Sequence, residues 1–192
     1  MSKHLLYLFG EPGTGKINVA RILQERLGWR LFWLHDLDSV CAIVGRYPLP
    51  RLMDRISLAV LEELMESGES IIYVRPSRDR ETVERGLTLA TWSGYSCSLV
   101  RLTAERATLV KRISSREPSA FRVSSEAELD RYLGSRPASS RNMNAVSVST
   151  EDRTAARVAD EIQRIIPRRT HEDRDKTRNS RRRTPCFGAA TP

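Results

Sequence analysis

Seven residues near the N-terminus, Gly10-Glu11-Pro12-Gly13-Thr14-Gly15-Lys16, have the composition and spacing of a loop that wraps phosphate groups. Glycines at this spacing let successive backbone N–H groups converge on phosphate oxygens, and a helix opening at the lysine adds the positive end of its dipole. Lys16 then reaches the outer phosphates as a point charge and stabilises charge on a transferred group. Residues 10 to 16, with Ile17 and Asn18 behind them, form the expected contact set for ATP or GTP. A ligand-free glycine-rich turn is the plainer alternative. The apolar run Leu5 to Phe9 before the loop and the lysine in register weigh against it.

The residue after the lysine departs from the usual pattern. A hydroxyl in that place normally touches magnesium, whereas Ile17 offers only methyl and methylene groups to a cation that demands oxygen. Asn18 brings an amide oxygen, but a helix turns it by about 100° from Ile17. Three outcomes stay open: magnesium held by phosphates, water and a carboxylate; a slow enzyme; or a nucleotide-binding protein that has lost catalysis. The end of the third expected strand carries no acid either. There Ile71-Ile72-Tyr73-Val74 runs into Arg75-Pro76, so a water-mediated magnesium ligand is missing and Arg75 becomes a candidate for an anionic acceptor or a phosphate. Asp79 reads as a helix cap.

These residues need a scaffold, and the hydrophobic pattern supplies one. Apolar runs of strand length at Leu5 to Phe9, Arg30 to His35, Ile71 to Val74, Ser96 to Leu102 and Ala145 to Ser149 alternate with amphipathic stretches of helical length. The helices are expected at Lys16 to Leu27, Leu52 to Met65, Asp79 to Ala90, Thr103 to Ser114, Ser125 to Leu133 and Asp152 to Ile166, with Thr103 capping the fourth. This is the pattern of an α/β fold: a parallel sheet of about five strands with helices on both faces, in three layers. Residues 115–144, rich in Ser, Arg, Pro and Glu, form a candidate mobile lid. The expected division is a single domain over residues 1–166 and a basic, disordered tail over 167–192.

The formal charge of +8 divides unevenly, since residues 167–192 hold +5 of it and the other 166 only +3. A mildly basic body suits a protein that handles phosphates, and the tail suits non-specific contact with polyanions. The aromatic residues show no repeated platform for stacking bases. No apolar run approaches the roughly 20 residues needed to cross a bilayer, and the five apolar residues before Gly10 are too few for a secretory signal. Cys41, Cys97 and Cys186 are isolated, without zinc or disulfide spacing. A cytoplasmic, reducing location without membrane contact is expected.

With the loop, Asp36-Leu37-Asp38 after the second strand and an arginine-rich stretch after the fourth, the chain resembles the small P-loop kinases: shikimate, gluconate and adenylate kinases, chloramphenicol phosphotransferase and the kinase half of polynucleotide kinase. The resemblance covers residues 3 to 166 in order of elements, and its specific motif is the loop. It implies the P-loop nucleoside triphosphate hydrolase fold and transfer of the γ-phosphate to a hydroxyl of a small molecule or nucleotide. It also implies that Asp36 orients or deprotonates the acceptor and assists magnesium, with Asp38 second or a helix cap. His35 reads as a packed strand residue. Arg112, Arg116 and Arg122, among lid cations that include Arg106 and Lys111, are implied to close over the phosphates, because guanidinium groups bind phosphate oxygens in pairs. Solvated basic helix faces are the alternative for each. The acceptor pocket falls to residues 41–52 and the lid. A nucleotide-binding module without turnover and a nucleic-acid end-processing kinase are the competing functions. A motor-type ATPase is set aside for want of a second helical domain.

Overall fold

The computed structural model describes residues 3–33, 50–76, 80–116, 122–135 and 144–167. Five strands form one sheet: β1 (His4–Gly10), β2 (Arg30–Trp33), β3 (Ile71–Pro76), β4 (Ser96–Thr103) and β5 (Val146–Ser149). Their order is β2-β3-β1-β4-β5, and every pairing is parallel. Six helices occur among the described residues: α1 (Lys16–Leu27), α2 (Pro50–Glu66), α3 (Arg80–Trp92), α4 (Arg106–Ser114), α5 (Glu126–Gly134) and α6 (Ala155–Ile165).

A parallel sheet covered on both sides needs strands that are apolar throughout rather than alternately. All seven residues of β1 are buried. On one face Leu6, Leu8, Ile72, Val74, Val100, Leu102 and Val148 meet Val19, Ala20 and Leu23 of α1 and Val158, Ala159 and Ile162 of α6. On the other, Leu5, Tyr7, Phe9, Ile71 and Tyr73 meet Leu61 and Met65 of α2 and Val83 and Ala90 of α3. Full burial of each large side chain contributes roughly 1.5–3 kcal/mol, so the central strand fixes the frame from which the loop springs. A smaller cluster, Leu109 and Ile113 of α4 with Leu129 of α5, stands apart from the sheet.

Element ends differ from the sequence expectation where local chemistry decides them. Helix α4 starts at Arg106 behind Glu105 rather than at Thr103, because Thr103 is still in the sheet, paired with Ser149. The Glu105 N–H is taken by the Glu151 carboxylate, 2.9 Å away, so a distant acid replaces the local cap. Helix α5 follows the capping-box logic: Ser125 Oγ accepts from Glu128 N–H at 3.2 Å, while the Glu128 carboxylate accepts from Ser124 N–H at 2.7 Å. Helix α6 opens after Thr154, whose hydroxyl accepts from Arg157 N–H, rather than at Asp152. His35, Asp36, Asp38, Cys41, Asp79, Cys186 and the residues beyond 167 lie outside the described residues.

Candidate functional site

The sheet delivers the loop from its middle strand. Gly10 ends β1 with φ 156°, and a Cβ there would sit 2.4 Å from the Leu102 carbonyl oxygen of β4, so only glycine fits. Gly13 has φ 90°, and its Cβ would lie 3.0 Å from the Leu109 carbonyl, which seats the loop against α4. Inside the turn the buried Thr14 hydroxyl donates to Glu11 O at 2.8 Å. The Lys16 ammonium donates to Gly10 O at 2.9 Å and Glu11 O at 2.8 Å, with Thr14 Oγ1 3.4 Å away. Burial pushes the Lys16 pKa down to about 7; the Glu11 carboxylate works against the shift and Arg116 adds to it. The loop carbonyls hold the lysine where incoming phosphate oxygens would replace them.

Glu11 has a partner that its sequence position does not announce. The residue is 6% exposed, and its carboxylate lies 2.6 Å from Arg101 Nη2 on β4. The register sets Arg101 beside Phe9, one residue before the loop, so the ion pair anchors the start of the turn to the neighbouring strand.

Two cavities flank the loop. One, of about 400 Å³, is walled by Pro12, Gly13, Gly15, Lys16, Ile17 and Asn18 of the loop and α1, Trp33 and Pro76 at the strand ends, and Arg116, Arg122, Val123 and Tyr132. The other, of about 330 Å³, lies between the loop and α1 on one side and Arg112, Ser115, Arg116, Thr150, Arg153, Ala155 and Val158 on the other. They meet at Gly13, Gly15, Asn18 and Arg116, so one trough runs along the loop with a chamber at each end. It opens at the carboxyl ends of the strands, where ligands of open α/β sheets bind.

The three arginines singled out in the sequence converge on this trough. Arg112 donates to Thr150 Oγ1 at 2.9 Å and Thr150 O at 2.8 Å and approaches Gly13 O at 3.5 Å, so the segment after β5 aims it. The Arg116 guanidinium pKa is lowered by burial and by the like charges of Arg122 and Arg112. Arg122 stacks over the Trp33 indole, 4.9 Å from the ring centre. Arg106 is drawn away, pairing with Glu126 at 2.7 Å and Asp130 at 2.8 Å and tying α4 to α5. Trp33 stands in no motif of the sequence; its place at the carboxyl end of β2 is the signal that sets it in the cavity wall.

Arg75 points away from the trough. It shares a face of β3 with Ile71 and Tyr73 and is 1% exposed, with Nη2 2.5 Å from Asp54 Oδ1 on α2. Asp54 also accepts from the Thr82 hydroxyl at 3.5 Å. Arg75 Nη1 and the Tyr7 and Tyr73 hydroxyls are buried without a hydrogen-bond partner among the described residues. An anion in the trough therefore does not reach this guanidinium. The donor set for magnesium is poor as well. The position after the lysine is aliphatic, and the described residues walling the two cavities include no Asp or Glu. No group of three His, Cys, Asp or Glu side chains suited to a metal occurs among the described residues. The chain's described residues do not fit a protein-held Mg²⁺.

A family model described as an AAA domain matches residues 5–138, most of the chain. The structure of a gluconokinase from Sinorhizobium meliloti 1021 superposes with a TM-score of 0.62 at 17% identity, over 82% of this chain and 88% of that one. A shikimate kinase from Acinetobacter baumannii, solved in complex with shikimate, gives 0.61 at 20% identity over 85% and 93%. At such identities the likeness is one of fold. A Methanosarcina mazei protein named "Putative adenylate kinase" is 48% identical over 33 residues, which is 17% of this chain and only 17% of that protein's length.

Proposed function

The chain belongs to the AAA domain family and shares its fold with a gluconokinase and a shikimate kinase, and on that premise we propose that it binds a nucleoside triphosphate, ATP or GTP, and transfers the γ-phosphate to a hydroxyl of a small molecule or nucleotide. The observation that carries this reading is the convergence of Lys16, Arg112, Arg116 and Arg122 on one trough along the glycine loop. The loop N–H groups and Lys16 cradle the β- and γ-phosphates, and the nucleoside lies toward Arg112 and Thr150. Arg116 and Arg122 meet the charge that develops on the transferred group. The acceptor enters the larger chamber, whose described wall includes the aromatic faces of Trp33 and Tyr132. Asp36, three residues beyond Trp33, is the proposed group that orients or deprotonates the acceptor hydroxyl.

A second reading, a nucleotide-binding module without turnover, is favoured by Ile17 and by the inward turn of Arg75. One experiment separates the two. The protein is incubated with γ-labelled ATP or GTP and a panel of sugar acids, nucleosides and nucleoside monophosphates, beside Lys16→Ala. Transfer that falls at least about a thousandfold in a folded Lys16→Ala supports the kinase. Binding lost in that variant without any transfer by the parent supports the module. A folded Lys16→Ala with undiminished nucleotide affinity removes both.

A further inference from the structure

We propose that this site takes its nucleotide as the metal-free polyphosphate anion, neutralised by Lys16, Arg112, Arg116 and Arg122, so that Mg²⁺ in solution opposes binding. The inference rests on the nucleotide-binding half of the proposed function and is independent of transfer.

Three observations carry it. The described residues that wall the trough bring five cations, these four and Arg153, and no carboxylate. Of the acids near the trough by sequence or register, Glu11 is paired with Arg101, Asp54 with Arg75 and Glu161 with Arg153, while Glu151, next to Thr150, accepts from the Thr108 hydroxyl and the Glu105 N–H. The oxygen that would hold a divalent cation beside the lysine is replaced by Ile17, itself part of the cavity wall.

A site of this kind has a preference that follows from charge alone. Arg116 stands between the like charges of Arg112 and Arg122 and has no carboxylate partner among the described residues. Crowded guanidinium groups repel, and a polyanion relieves that repulsion in proportion to its charge. The magnesium complex of a nucleoside triphosphate carries two fewer negative charges than the free anion. It also brings a hydrated cation, reluctant to shed water, into a space whose described walls hold cations, aliphatic groups and a few neutral oxygens, such as those of Asn18, Ser115 and Thr150, but no carboxylate. Guanidinium forks replace the metal as bidentate partners of the phosphate oxygens, which a lysine-only loop does not achieve.

The test is calorimetric titration of the full chain with adenylyl imidodiphosphate at constant ionic strength, in EDTA and then in excess Mg²⁺. The expected result is affinity about tenfold weaker in Mg²⁺, with the difference lost in Arg116→Met and reduced or reversed in Ile17→Thr. Binding strengthened by Mg²⁺, or unchanged within about twofold, overturns the inference while leaving the nucleotide reading intact. If Mg²⁺ strengthens binding and Asp36→Asn cancels the gain, the metal is held by that carboxylate. Absence of binding in both conditions overturns the nucleotide reading, and the inference with it.

Discussion

Lys16 carries the clearest pH signature. Burial holds its pKa at about 7 in the free protein, against an ordinary value of 10.5. Above pH 7 the amine is largely neutral, and the triphosphate of the proposed function is expected to restore its charge. Binding then takes up one proton, and affinity falls by up to about tenfold per pH unit from about pH 7 upward. Titration in buffers of different ionisation enthalpy measures this uptake directly; affinity flat between pH 7 and 9 would contradict it. The stability term has the opposite direction. Between pH 7 and 10.5 the unfolded chain binds more protons than the folded one, so Lys16's contribution to stability grows as pH rises through that window. The turn from β1 into α1 around the glycines and Lys16 was readable in the sequence, because glycine spacing and a lysine in register are local properties. The Glu11–Arg101 pair was not, since its partners are 90 residues apart and meet only because β1 and β4 are neighbours.

At the level of elements, the buried Arg75–Asp54 pair joins β3 to α2 on the face away from α1. Removing the carboxylate strands a guanidinium that is 1% exposed, and such a loss costs about 3 kcal/mol or more. Asp54→Ala is therefore expected to lower the urea midpoint markedly. Replacing both partners with hydrophobic residues, Asp54→Leu with Arg75→Met, is expected to cost less than the single change. A single variant within about 1 kcal/mol of the parent would show that the pair is not needed. The alternation of strands and helices was legible from apolar periodicity, down to the isolated α5. The direction of Arg75 was not, because a strand buried on both faces loses the two-residue alternation that tells one face from the other. For the same reason the missing strand-three acid was visible while its replacement's partner was hidden.

Across the whole molecule the charge is divided between an arginine-lined trough and the segment past residue 167, which holds +5 of the +8. The two are expected to act independently. Deleting residues 168–192 should leave nucleotide affinity within about twofold of the parent and remove most of the salt-dependent binding to heparin or single-stranded DNA. A large drop in nucleotide affinity would instead make the segment part of the site. The convergence of Arg112, Arg116 and Arg122 belongs to this scale too. Their types suggested phosphate contact, but only the packing of α4 against the loop, through Leu109 and Gly13, and the Thr150 contacts bring Arg112 to the trough. No helix among the described residues is long and apolar enough to cross a membrane.

The stacking of Arg122 on Trp33 gives the protein an optical gauge of its own state. An indole with a cation 4.9 Å above its face emits differently from one left bare. Any phosphate that draws the guanidinium off the ring thus reports itself in tryptophan fluorescence. Trp92, 84% exposed, sees water throughout, and Trp29 is stacked on His4, so neither of these indoles faces the trough. With Trp33→Phe as the blank, closure over a ligand is readable in real time and without a label.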